Sequence, residues 1–436
     1  MADDPQQQSS GESSGRGRRR LVRGVAALLV VAWASGIVVA ALAVRAEPER
    51  SELDTTLDGV DEPQAAIVPR AGSVSGGEPA REFEQPCWPT YGRTPARTSD
   101  AADLDIGIPK RRTWRMRVGM MEFPPSYCDG VLYVNNQHGE TFAIRVHDRE
   151  VLWRRRTAKT YDSTPAINGR RMFVGSYAPG DVQALERMTG RRLWRLRTGG
   201  HVESSPVVVD GLVYAASSDR RVYAIDEETG KVRWAFRTGA EIKDSPSVAG
   251  GRVYVGNYAA EVFALDARTG KVRWRRGLGG VRGDRIYSSI AVAGNTAYFA
   301  TVRGDVYALD ARNGRTRWHV SVPGYAYATP AVSGGRVFIA NYPGDVFAFD
   351  ARTGKQAWKQ HLGGSVSGSP TVIGDVLYVS SLSSRRSWGL RVRDGRPVWR
   401  HDDGRYVTAI ATSTAFYLST GSMLSRWSPV AARTRR

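Results

Sequence analysis

Residues 224–234 read Ala-Ile-Asp-Glu-Glu-Thr-Gly-Lys-Val-Arg-Trp, and residues 264–274 read Ala-Leu-Asp-Ala-Arg-Thr-Gly-Lys-Val-Arg-Trp. A third copy, Ala-Phe-Asp-Ala-Arg-Thr-Gly-Lys-Gln-Ala-Trp, fills 348–358. Two further copies differ by one residue: Asn313 replaces Thr in Ala308–Trp318, and Glu186 replaces Asp in Ala184–Trp194. The copies ending at Trp153 and Trp399 carry Arg145 and Arg391 in place of the Asp. With Trp114 added, the tryptophans stand at 114, 153, 194, 234, 274, 318, 358 and 399, close to one per forty residues. A fixed period of that length marks a stacked-repeat architecture.

Each period reads as four short strands. In one of them these are Pro206–Val209, Leu212–Ser217, Arg221–Ile225 and Lys231–Thr238, with two-residue alternation and Asp-Gly or Thr-Gly breaks. Four strands per repeat predict a β-propeller blade. The Asp of each motif (Asp226, Asp266, Asp310, Asp350) is placed to accept amides of the following turn. The Gly supplies a positive φ. The Trp offers a flat face to the neighbouring blade. Seven repeats end at Trp153 through Trp399. Strand-like runs within 407–412, 415–419 and 423–427 lack a fourth strand, and Thr113–Val118 with Trp114 lacks the first three. Together they make an eighth blade. The prediction is an all-β, eight-bladed propeller of four-stranded antiparallel blades, closed by the two ends of the domain.

The Ala-x-Asp-x-x-Thr-Gly-x-x-x-Trp pattern resembles the tryptophan-docking motif of pyrroloquinoline-quinone-type β-propeller repeats. The likeness covers about 113–427, and the lead-in Trp88-Pro89-Thr90-Tyr91-Gly92-Arg93 with Arg97-Thr98 resembles bacterial members. It implies the eight-bladed fold of quinoprotein dehydrogenases and of a lipoprotein that assists outer-membrane barrel assembly. The enzymes of that kind typically use a calcium or lanthanide ion, a catalytic Asp and an adjacent cysteine pair. Here Cys87 and Cys128 are 41 residues apart, and the blades follow one another with only four extra residues, around 277–287. No bound quinone is therefore expected. The six histidines pair at no metal-ligand spacing, so no metal site is expected either. No nucleic-acid module is legible.

Aligning the repeats exposes one candidate site. Three residues before the start of successive first strands stand Glu122, Asp162, Glu203, Lys243, Tyr287 and Tyr327, with Asp244 beside Lys243. His138, Tyr177, Tyr258 and Tyr342 fall in the second-to-third-strand loops, which share that face. One half of this mouth is acidic and the other aromatic. It is either a solvated rim or a binding funnel for a peptide, glycan or cation.

Composition and charge complete the reading. The hydrophobic fraction of 41% and charged fraction of 24% exclude a wholly disordered chain and a polytopic membrane protein, and two cysteines exclude a disulfide-dense scaffold. An oxidising compartment permits Cys87 and Cys128 to pair; two buried thiols are the alternative. Residues 113–436 hold 48 basic and 27 acidic groups. Many arginines flank fourth strands, including Arg154 to Arg156, Arg195, Arg197, Arg237, Arg275 and Arg276, so a positive girdle is expected.

The uncharged stretch 24–44 is long enough to span a bilayer, and Arg16, Arg18, Arg19, Arg20 and Arg23 before it place the N-terminus inside. A cleaved signal peptide is the rival. The expected organisation is a basic cytoplasmic segment (1–23), a transmembrane helix (24–44), a flexible acidic tether (45–86), a lead-in strap (87–112), the propeller (113–427) and a basic tail (428–436). The expected function is non-enzymatic: a tethered propeller outside a bacterial plasma membrane, binding envelope proteins or anionic envelope polymers. A soluble-ligand sensor or carrier using the mouth is the alternative, and a quinone-dependent dehydrogenase the third.

Overall fold

The seven complete repeats of the sequence become seven antiparallel sheets, each with its strands in sequence order from the axis outward. The computed structural model describes residues 87–161, 163–279, 283–406 and 409–429. Blade one comprises Ser126–Cys128, Val131–Asn135, Glu140–Arg145 and Val151–Arg156. The eighth sheet takes Ile410–Ala411, Phe416–Thr420 and Met423–Pro429 from the C-terminal end and Pro109–Arg117 from the N-terminal end. This last pairing is antiparallel and sets Trp114 opposite Arg426. The closing strand starts at Pro109, four residues before the run that alternation picks out, because the exposed Lys110–Arg112 stretch mimics a loop. The expected helix at 24–44 and the tether lie outside the described residues. Among the described residues, no helix is long and apolar enough to cross a membrane.

The repeat motif acquires a physical reason in every position. Within a blade, the Ala lies directly across from the Trp, as in Ala224 with Trp234 and Ala264 with Trp274. A small residue there lets the indole reach an aromatic on the second strand: Tyr214 and Trp234 have ring centroids 5.9 Å apart, Phe338 and Trp358 5.8 Å. The indole N–H then crosses to the next blade. Trp194 Nε1 donates to Glu227 O at 3.0 Å, Trp234 Nε1 to Ala267 O at 2.9 Å, and Trp358 Nε1 to Val392 O at 2.9 Å. Trp114, Trp153, Trp274 and Trp318 make the same bond. Trp399 instead packs against Trp427 of blade eight, with centroids 6.1 Å apart.

The Gly of Thr-Gly is the seat for the preceding blade's Trp. A Cβ on Gly230 would lie 2.8 Å from Trp194, and one on Gly270 2.6 Å from Trp234. The Asp closes the turn. Asp266 Oδ1 accepts from Thr269 N (2.9 Å) and Thr269 Oγ1 (2.8 Å), while its other oxygen takes Arg273. The Arg273 and Thr269 bonds hold the Asp266 carboxyl down at about 2.

Two variants separate the requirements on glycine. Gly211 (φ +76°) has nothing near its missing Cβ, whereas Gly230 (φ +71°) faces Trp194. Gly211→Ala is expected to cost about 1–2 kcal/mol from the left-handed backbone alone. Gly230→Ala pays that and displaces the indole, adding roughly 1–3 kcal/mol of overpacking. Thermal unfolding should therefore show a clearly lower Tm for Gly230→Ala than for Gly211→Ala; equal losses would exclude the docking role of the glycine.

Candidate functional site

The first strands of a propeller present their free edges to the axis. In this chain those edges are not left bare, because the lead-in pairs with them one after another. Trp88 exchanges backbone bonds with Tyr127 of blade one (2.8 and 2.9 Å). Ile167 N of blade two then donates to Pro89 O, Val248 N of blade four to Pro95 O, Val292 N of blade five to Ala96 O, and Val332 N of blade six to Thr98 O. At blade seven, Asp100–Ala101 adds a fifth strand, parallel to Thr371–Ile373. The strap expected from the sequence is thus a plug that lines the channel.

Arg97 sits at the centre of this plug with no exposure. Its guanidinium donates to Pro246 O (2.8 Å), Tyr91 O (2.8 Å) and Ser205 O (2.6 Å). Burial lowers its pKa to about 10, so it stays charged at neutral pH. Tyr91 reaches the opposite blades, its hydroxyl 2.6 Å from Ser369 Oγ and 3.2 Å from Thr329 Oγ1. A belt of hydroxyls joins the blades above it. Thr164 N donates to Ser205 Oγ, Ser205 N to Ser245 Oγ, Ser245 N to Ser289 Oγ, Ser289 N to Thr329 Oγ1 and Thr329 N to Ser369 Oγ, all within 3.0 Å.

Cys87 is bonded to Cys128, with Cα atoms 4.4 Å apart. Cys128 ends its strand at the side remote from the mouth loops, so the bond anchors the start of the plug rather than the mouth. Among the described residues, the one grouping of three potential metal ligands is Cys87, Cys128 and Asp129, and its two sulfurs are spent in the disulfide.

The mouth residues picked out by alignment do converge, but they satisfy one another. Glu203 pairs with Lys243 at 2.9 Å, and Lys243 and Arg285 lie over the Tyr258 ring at 5.7 and 5.3 Å. Glu122 accepts from Gln137 Nε2 at 2.6 Å. Burial raises its pKa, Gln137 opposes the rise, and the Glu203 charge adds to it. Tyr287, Tyr327 and Tyr342 form a chain of edge-on contacts with centroids 5.7 and 5.8 Å apart. Asp162 lies outside the described residues. His138 is exposed at its turn, where its backbone N donates to Asn136 Oδ1 at 2.9 Å. Sequence reasoning stopped at six blades and missed Ser367 and Tyr406, three residues before the Pro370 and Ala409 positions. Counting the same register through blades seven and eight would have found them. Tyr406 is half-buried and belongs electrostatically to the mouth: burial raises its pKa, and the charge of Glu122 raises it further.

Asp244 is not a mouth residue. It is buried and takes the place that Ser163, Ser204 and Ser288 hold in sister blades. Ser204 Oγ both donates to Ala216 O (2.8 Å) and accepts from Ala216 N (2.9 Å). Asp244 Oδ2 accepts from Gly256 N at 2.8 Å, and Oδ1 has no partner among the described residues. Burial pushes its pKa up to about 8, against the pull of Gly256 N and Arg97.

The girdle is also partly neutralised. Arg154 pairs with Glu140, Arg195 and Arg197 with Asp181, and Arg275 with Glu261, each across adjacent strands of one blade.

A family model described as outer membrane protein assembly factor BamB matches residues 109–200, 178–329 and 325–424. The chain belongs to this family. A BamB from Nitrosomonas eutropha is 25% identical over 123 residues, which are 28% of this chain and 30% of that protein. The match thus spans under a third of the relative's length. BamB from Moraxella catarrhalis has the same fold, with a TM-score of 0.65 and 17% identity over 73% of this chain and 99% of its own. The quinohemoprotein alcohol dehydrogenase of Comamonas testosteroni has a TM-score of 0.67 at 15% identity, covering 80% of this chain and 82% of that one. A europium-containing methanol dehydrogenase has a TM-score of 0.65 at 13% identity over 78% of this chain and 91% of its own. At these identities the structural likeness shows the eight-bladed fold and nothing of activity.

The buried acid offers a pH test. Unfolded Asp titrates near 3.9, and folded Asp244 at about 8. Between these values the unfolded chain has lost its proton and the folded one retains it, so stability falls as pH rises. Asp244→Ser should remove that slope. Its Tm advantage over the parent should be small near pH 4, grow to about pH 8 and then level off. An advantage that does not change with pH would show that Asp244 is not held neutral by burial.

Proposed function

We propose that the domain is a non-catalytic docking scaffold of the bacterial cell envelope. The observation that carries this reading is the self-filled channel. Tyr91, Arg97 and the blade-joining hydroxyls occupy the axis below the mouth, and the Glu203–Lys243 pair and the tyrosines close the mouth above. A quinone with a metal ion needs a pocket of several hundred Å3 lined by free polar groups. The mouth carboxylates are instead engaged by Lys243 and Gln137. The residues present do not fit such a cofactor.

Protein partners are the expected ligands. Exposed apolar side chains stand in one register on the outer strands of blades one, three and four, Val151, Val232 and Val272, where blade two has Arg192; Leu193 and Met188 of blade two are exposed close by. Thr316 and Gln356 take the same register in blades five and six. Blades one to four therefore each carry an exposed apolar side chain on the outer rim, set among its arginines. Grouped exposed apolar side chains mark protein interaction surfaces. We further propose that residues 24–44 anchor the domain on the outer face of the plasma membrane, with the N-terminus inside. Envelope proteins are its main partners, anionic envelope polymers are secondary ligands, and nucleic acid is not bound.

The test is site-specific photocrosslinking in cells. Crosslinkers at Val232 and Val272 should capture discrete protein partners, and those at Thr316 and Gln356 should not. In parallel, the purified full chain incubated with pyrroloquinoline quinone and calcium should keep no stoichiometric quinone absorbance after desalting. Retained quinone together with dye-linked alcohol oxidation would overturn the scaffold reading in favour of an enzyme.

A further inference from the structure

The residue just before each third strand adopts a left-handed backbone in blades one to seven. In blades one, two, five and six it is Gly139, Gly180, Gly304 and Gly344, and in blade four Ala260. Glycine there lets the turn press against the chain leaving the blade. A Cβ on Gly139 would lie 2.0 Å from Ala158 O, one on Gly180 2.1 Å from Gly200 O, and one on Gly304 2.4 Å from Val322 O. In blades three and seven the position is Arg220 (φ +74°) and Arg385 (φ +52°). Arginine in this conformation costs backbone energy that glycine would not. A cavity opens beside each of these two turns.

The two cavities differ in charge. The one at Arg220 also holds Asp219 and Glu241 against Arg221 and Arg237. The one at Arg385 lies between blades seven and eight and measures about 400 Å3. Four arginines line it, Arg115, Arg117, Arg385 and Arg405, against one carboxylate, Asp403. Asp403 is already committed: Thr420 Oγ1 donates to it at 2.8 Å and Arg115 Nη2 at 3.2 Å. Among the described residues Arg117, Arg385 and Arg405 have no carboxylate partner. Arg154, Arg195, Arg197 and Arg275 on the rim each face a third-strand acid, whereas these three arginines converge on one cavity.

We propose that this cavity is a binding site for a phosphomonoester group. Three uncompensated guanidinium groups exceed what a carboxylate would neutralise, whereas a phosphomonoester carries about −1.5 to −2 at neutral pH. Guanidinium forks match phosphate oxygens in pairs. The Thr420 and Ser422 hydroxyls add neutral polar contacts on one wall. Met120 and Met423 line the same cavity and give the organic part of the ligand an apolar wall. The two arginine sources come from both ends of the chain: Arg115 and Arg117 sit on the N-terminal closing strand, Arg385 and Arg405 on blade seven and its exit. The site exists only when the ring is closed. It stands apart from the docking scaffold reading, since its ligand is small and its residues are not those of the apolar rim.

The test is calorimetric titration of the full chain in detergent with inorganic phosphate and, separately, soluble dihexanoyl phosphatidic acid, both at fixed ionic strength. One site per chain is expected. The variant Arg385→Gly restores the residue of four sister turns, so it relieves the backbone and keeps the fold. Combined with Arg405→Gln it should weaken binding roughly tenfold or more, as loss of charged hydrogen bonds does. Arg155→Gln with Arg156→Gln on the rim should leave binding unchanged. Tighter binding of the phosphatidic acid identifies a lipid headgroup as the source, and equal binding a free phosphate ester. Absence of binding for both probes, or binding that survives Arg385→Gly with Arg405→Gln, would overturn the proposal.

Discussion

Seven of the eight blades are held by a tryptophan that belongs to the preceding blade. The indole N–H needs a carbonyl, its ring needs a flat seat, and the next blade supplies both within one turn. For Trp234 these are Ala267 O at 2.9 Å and Gly270. Tyr214 from the same blade sends its hydroxyl to the same Ala267 oxygen at 3.0 Å. A single β-sheet of four short strands cannot bury both faces alone. Docked on both sides, second and third strands are buried along nearly their whole length, as Leu212–Ser217 and Arg221–Asp226 show. The motif that defines the repeat is therefore a joint between blades more than a feature of any one blade.

Joints of this kind must close into a ring, and the chain closes it twice. The outer closure is the pairing of Pro109–Arg117 with Met423–Pro429. The inner closure is the lead-in, which passes along the first strands of the blades and carries Arg97 into the axis. A buried guanidinium is costly unless its donors are met. Here carbonyls of blades three and four and of the lead-in itself meet them. The disulfide at Cys87 fixes the start of this path, and the strand at Asp100–Ala101 fixes its end. The same contacts that join the ring fill its axis with Arg97, Tyr91 and the blade-joining hydroxyls.

Charge is organised at two ranges. Along the rim, third-strand acids and fourth-strand arginines face each other across adjacent strands, and part of the positive charge is met locally. The arginine ends of these pairs are exposed while the acids are largely covered, Asp181 wholly, and the pairs lower the field that the girdle presents. At the seam between blades seven and eight the third-strand position opposite the arginines carries no acid. There the charge of both chain ends accumulates on one cavity.

The period of forty residues, the two-residue alternation within it and the Thr-Gly turns were sufficient to read the blade, the blade count and the sharing of the eighth blade between the chain ends. These are local or periodic signals, and each repeat states them again. The register three residues before the inner strands likewise brought Glu122, Glu203, Lys243, Tyr287 and Tyr327 to one mouth. Asp244 could not be read in this way. A carboxylate beside Lys243 looks like a mouth residue until the alternation of its loop turns it inward to the place of a serine. Nor could the role of residues 88–101 be read, because the lead-in has no repeat and no periodicity. Its partners are single amides on separate blades, up to some 270 residues away in sequence. The pairing of the rim arginines and the clustering of Arg115, Arg117, Arg385 and Arg405 depend in the same way on which strands become neighbours when the ring closes. The sequence by itself determined the repeating unit and how many there are. Only the tertiary structure decided what fills the axis and where charge is left uncompensated, since both arise from contacts between non-repeating residues that closure alone brings together.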